Sequence, residues 1–183
     1  MSALDIALLL LRVVAGLTLA AHGAQKLFGW FGGPGLKRFL HGFAAQGLRP
    51  AWLWVAFALL GELGGGLSLT FGFLTPLGAA GAFGAMLMAA STHWKKGFFN
   101  GKGGLEYPLL LMVVALALGV AGPGGLAIDA LLGVARIEVP LFAALALGAL
   151  VVVIVGNLIR RPPAPATVQP ATIQPTEATV RVS

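Results

Sequence analysis

Six ionisable side chains, Arg12, His22, Lys26, Glu62, His93 and Glu106, interrupt or bound stretches that are otherwise apolar. A charge inside hydrocarbon costs several kcal/mol unless it is paired or hydrated, so each of these residues is a candidate for function. Arg12, His22 and Lys26 offer hydrogen-bond donors, and Glu62 and Glu106 offer carboxylates able to relay protons. His22 and His93 stand at similar depth on different helices, the arrangement of a bis-His haem, although two residues alone are thin evidence for one. With three His and no Cys in the chain, a zinc site has less support still, and no metal ligand is assigned. The absence of Cys also removes disulfides and thiol chemistry of the chain's own.

The elements that must position these groups follow from composition. Of 183 residues, 58% are hydrophobic and 10% charged, and the mean hydropathy is +0.92. A soluble domain carries about a quarter charged residues, so a soluble enzyme and a nucleic-acid binder are both excluded, despite a net charge of +6. The 27 Gly suit helices packed backbone to backbone in lipid. The apolar runs predict an all-α polytopic membrane bundle: a four-helix core, with helices at about 6–28, 51–73, 76–94 and 105–120, and a fifth transmembrane helix within 134–161. Asp5 in place of a basic n-region argues that the first stretch is a retained helix and not a signal peptide.

Lys and Arg fall almost wholly on one side of such a bundle. Lys26, Lys37, Arg38, Arg49, Lys95, Lys96, Lys102, Arg160, Arg161 and Arg181 share a face, against Arg136 on the other. The positive-inside rule then sets the N-terminus out and the C-terminus in, and Trp30, Trp52, Trp54, Trp94 and Tyr107 fall at the inner level as an aromatic belt. Leu36, Phe39, Leu40 and Phe43 recur at helical spacing opposite Lys37, Arg38 and His41, which predicts an interfacial helix at about 34–45 beside anionic lipid. Residues 162–183, rich in Pro, read as a disordered cytoplasmic tail.

Depth along the helices suggests pairings. Counted from the inner helix ends at about 1.5 Å per residue, Glu62 falls between Arg12 and His22. An Arg12–Glu62 pair is therefore expected, as a functional pair or as an ion pair fixing helix register. Lys26 and Glu106 lie close enough to the interface to snorkel. Arg12, Ala15, Gly16, Leu19, Gly23 and Lys26 share one helix side, and Glu62 sits among Gly61, Gly64, Gly65 and Gly66, which leave room for a ligand or another backbone. The expectation is one polar pocket from Arg12, His22, Lys26, Glu62, His93 and Glu106, supported by Gly16, Gly23, Gly65 and Asn100.

These residues carry a resemblance. Leu11–Gly16, His22–Leu27 and Gly32–Gly35, then Glu62 in its glycine cluster, Leu69–Thr75, His93, Asn100, Glu106 and Gly122–Asp129, resemble in order the DoxX family of bacterial inner-membrane proteins over roughly residues 4–133. The resemblance implies a four-helix membrane domain over 1–133 at the bacterial inner (plasma) membrane. It also implies association with redox systems, as the membrane part of a thiosulfate:quinone oxidoreductase or a partner of oxidative-stress enzymes. The fifth helix and the Pro-rich tail depart from the family pattern.

Three functional readings follow. The first is a membrane subunit of a redox system whose pocket receives a quinone headgroup, two carbonyl acceptors on an apolar ring matching the Arg, His and Lys donors. In that reading the chain has no intrinsic cofactor, a protein partner on the cytoplasmic side delivers electrons, and whether the chain is itself catalytic stays open. The second is a small-solute transporter or channel gated by Arg12 and Glu62, favoured by the Gly-rich mid-membrane segment. The third is a scaffold docking a soluble partner on its basic face. The lipid bilayer is the common partner, and a homo-oligomer is compatible with all three.

Overall fold

The computed structural model describes residues 2–134 and 138–161. Arg136 and the expected tail over 162–183, with Arg181, lie outside the described residues. The described residues form helices and turns, with no strand among them. Helix α1 spans Ala3–Phe28. Ser2 caps it, its Oγ accepting from the Asp5 amide while the Asp5 carboxylate accepts from the Ser2 amide, a reciprocal arrangement that satisfies two donors. The α2 helix, Gly35–Ala45, follows a tight turn. Next, α3 (Ala51–Leu59) passes through one π-helical turn, Leu60–Gly64, into α4 (Gly65–Phe71). Then come α5 (Thr75–His93), α6 (Glu106–Ala121), the short α7 (Ile128–Leu131) and α8 (Glu138–Leu158).

Among the described residues, three helical stretches are long and apolar enough to cross a bilayer: Ala3–Phe28, Ala51–Phe71 and Val139–Leu158. The stretches expected at 76–94 and 105–120 are also helices, of 19 and 16 residues. The composition of α5 has a packing reason. It runs through the middle of the bundle, against α4, α6 and α8, and buries Gly78, Ala79, Ala82 and Ala85 among others. A helix surrounded by other helices needs small side chains more than it needs hydropathy. The α8 helix belongs to the same bundle: Phe142 lies against Gly119, Ala149 against Gly84, and Trp54 against Gly156.

The α1 helix runs antiparallel to the α3–α4 segment, with Gly23 facing Leu63, Ala20 facing Gly66 and Gly16 facing Thr70. Here the backbones touch. A Cβ on Gly66 would stand 2.6 Å from both the Ala20 amide nitrogen and the Gly16 carbonyl oxygen. On the opposite side Gly61 meets Gly81, and a Cβ on Gly65 would stand 2.8 Å from the Gly78 carbonyl. The glycine cluster around Glu62 thus admits two neighbouring helices, α1 and α5.

This register differs from the one expected. The first residues of α3 run past the end of α1, where Phe43 of α2 and Leu48 pack against Trp54, Val55 and Ala58. The α2 helix fills the space under α1, so the two helix ends are offset by roughly 10 Å, about two helical turns. Glu62 accordingly lies opposite the last turns of α1. We call the end where α1 begins, with Asp5 and Asp129, the acidic end. The other, where α1, α5 and α8 finish, is the basic end.

Candidate functional site

Two side-chain pairs, joined through α1, lie towards the basic end: Lys26 with Glu62 and His22 with Tyr107. Lys26 Nζ, from the last turn of α1, pairs with Glu62 Oε1 from the π-helical turn. An extra residue in a helical turn displaces the chain locally and is frequent at functional sites. The Glu62 side chain is 2% exposed and that of Lys26 24%, so the acid is buried while the ammonium reaches an opening. Lys26 Nζ also stands 5.2 Å from the ring centroid of Phe39 on α2, within cation–π range. The second Glu62 oxygen, Oε2, is buried without a partner.

His22, one turn before Lys26, is oriented by its own helix: Nδ1 lies 2.9 Å from the Thr18 carbonyl oxygen. A carbonyl only accepts, so Nδ1 carries the proton, and in the neutral ring Nε2 keeps a free lone pair. Tyr107, on the first turn of α6, brings its hydroxyl to 3.3 Å from the same Nδ1 and its ring to 5.0 Å from the imidazole. With Nδ1–H as the donor, the Tyr107 oxygen takes the acceptor's part and its own proton stays available. His93 Nδ1 is buried without a partner.

The remaining expected residues lie elsewhere. Arg12 does not pair with Glu62, because the register puts it about 21 Å along α1 from Lys26. Its Nη1 donates to the Thr70 carbonyl at 3.2 Å and its Nη2 to the Leu126 carbonyl. The opposing charge that it feels is Asp129. Asp129 in turn accepts from the Leu74 amide at 2.9 Å and the Thr75 amide at 2.8 Å, capping α5, while its own amide donates to Gly72. Leu74 is left-handed, φ 53, a conformation costly for such a side chain and pinned here by Asp129. Gly72, φ 63, passes so close that a Cβ there would stand 2.9 Å from Arg12 Cζ.

Glu106 is exposed, and its Oε2 accepts from the Asn100 backbone amide at 2.9 Å, closing the loop before α6. Neither Glu106 nor Asn100 enters the centre. Gly16, Gly23 and Gly65 are helix-contact positions. Sequence reasoning missed Tyr107 as a site residue, having assigned it to the aromatic belt; its place beside Glu106 at a helix start was the available signal. Asp129 was seen only as part of a family ending. Among the described residues no three His, Asp or Glu side chains gather as a metal cluster.

The DoxX family model matches residues 7–94, which carry Arg12, His22, Lys26, Glu62 and His93 but neither Tyr107 nor Asp129. No curated protein matches the chain. No solved structure matches it either.

Proposed function

We propose, from the premise that this chain is a membrane protein of the DoxX family, that it serves as an integral membrane subunit of a quinone-linked or oxidative-stress redox system. In this reading the centre around Glu62 receives a quinone headgroup. The bundle crosses the membrane five times, N-terminus out and C-terminus in. Lys37, Arg38, Arg49, Lys95, Lys96 and Lys102 at the basic end support that orientation, and the enclosure of α5 by its neighbours supports its crossing despite modest hydropathy.

The observation that carries the reading is Glu62: buried, committed to Lys26 through one oxygen, and holding a second oxygen without a partner. A buried acceptor of this kind is costly unless a ligand donates to it. A quinone carbonyl accepts from Lys26 Nζ or the Tyr107 hydroxyl, and a quinol hydroxyl donates to Glu62 Oε2 or His22 Nε2. Reduction of the ring takes two electrons and two protons. The electrons come from a partner at the basic end, and Glu62, His22 and Tyr107 hold or pass the protons.

The test is titration of a short-chain quinone against the purified protein. Lys26→Met is expected to weaken binding of the quinone, and Glu62→Gln binding of the corresponding quinol titrated in parallel, about tenfold each, or ~1.4 kcal/mol. Unchanged affinity in both variants overturns the site.

A further inference from the structure

A concavity lies between α5 and α6 towards the basic end. Leu87, Ala90 and Ser91 of α5 form its floor and Leu109 and Met112 of α6 its wall, around about 420 Å³. The lining changes character at the basic end, where Trp94 and Lys95 stand at the mouth beside Leu105. Trp94 is 71% exposed and Lys95 is exposed. From Leu87 to Lys95 the helix rises about 12 Å, so the groove runs from deep hydrocarbon to headgroup level.

Charge at the mouth has one sign. Lys96 and Lys102 flank Lys95 in the α5–α6 connection, and the acid of that connection, Glu106, is already engaged by the Asn100 amide. Behind the floor, Arg160 Nη2 donates to Ser91 Oγ at 3.3 Å, and Arg160 Nε is buried without a partner. Among the described residues none of these cations has a carboxylate partner.

We infer that this groove is a specific site for an anionic phospholipid, with an acyl chain along Leu87, Leu109 and Met112 and the phosphate at Lys95 and Trp94. Apolar depth alone would accept any chain. The unbalanced cations and the interfacial indole select a negatively charged headgroup. This inference needs only the membrane location and stands apart from the quinone reading.

The full chain in detergent is titrated with phosphatidylglycerol or phosphatidylcholine of identical acyl chains, and bound lipid is counted by native mass spectrometry. Phosphatidylglycerol is expected to be retained about fivefold more than phosphatidylcholine. Lys95→Gln should abolish that preference. Leu109→Trp, which fills the groove, should remove lipid of both kinds. Lys37→Gln, an exposed cation on α2, should change neither. Equal retention of the two lipids overturns the inference. So does a preference that survives Lys95→Gln, or one lost equally in Lys37→Gln, which would mark a general surface attraction.

Discussion

At the acidic end Asp129 gives both carboxylate oxygens to the backbone amides of one turn, whereas towards the basic end Glu62 gives one oxygen to Lys26 and keeps the other unpartnered. Arg12 likewise places two nitrogens on carbonyls of two different segments, with only its Nε buried without a partner, while Lys26 holds a single carboxylate and remains partly open. Both regions bury charge, but the first uses it to tie backbone to backbone. The second leaves one carboxylate oxygen unpartnered beside a partly exposed ammonium. Burial of charge in a membrane bundle therefore does not by itself mark a site; what matters is whether the backbone has already used it.

Substitutions test that contrast. The largest effect is expected from Asp129→Ala, which strips the cap from α5, orphans two amides at about 1–3 kcal/mol each and leaves Arg12 without its opposing charge. Thermal unfolding in detergent should move down by many degrees or lose cooperativity. A variant that melts like the parent would break the comparison at once. Gly66→Ala comes next, at about 1–3 kcal/mol for overpacking, because the added methyl meets the Ala20 amide and the Gly16 carbonyl. Since α1 carries both Arg12 and Lys26, this variant should lower melting and quinone affinity together.

Glu62→Gln separates the two regions more sharply. It removes the charge facing Lys26, yet Lys26 is 24% exposed and can turn to water, so the stability cost should stay near 1 kcal/mol. Quinol affinity should fall about tenfold, or ~1.4 kcal/mol. A collapse of stability on the scale of Asp129→Ala would make Glu62 a structural residue like its counterpart.

Much of this arrangement was legible in the sequence. The apolar runs marked an all-helical chain, and the membrane cost of charge singled out Lys26, Glu62 and His22. What failed was the pairing of Arg12 with Glu62, because depth was counted from helix ends taken to be level. Nothing local in 35–58 announces that α2 tucks under α1 and lets α3 start lower; that is a packing outcome of Phe43, Leu48 and Trp54. The glycines around Glu62 were open to two readings, ligand space or backbone contact, and both hold: Gly61, Gly65 and Gly66 meet neighbouring backbone, while Gly61, Gly64 and Gly65 also line a concavity with Phe57, Ser68 and Leu77. Tyr107 was hidden because an aromatic residue at a helix start serves the interface equally well.

The smallest expected effect belongs to Tyr107→Phe, and it tests how the centre is wired. The hydroxyl lies 3.3 Å from His22 Nδ1, a long contact shared with the shorter one to the Thr18 carbonyl at 2.9 Å. Its removal should cost about 0.5 kcal/mol. The tautomer should not change, since Thr18 holds the Nδ1 proton alone. Nitrogen NMR of labelled histidine should show an unprotonated Nε2 in parent and variant alike at a pH where the ring is neutral. Quinone affinity, in contrast, should drop about threefold, because Tyr107 supplies one donor and Lys26 remains. If the tautomer flips instead, Tyr107 sets the His22 proton and the lone pair assigned to Nε2 points the other way.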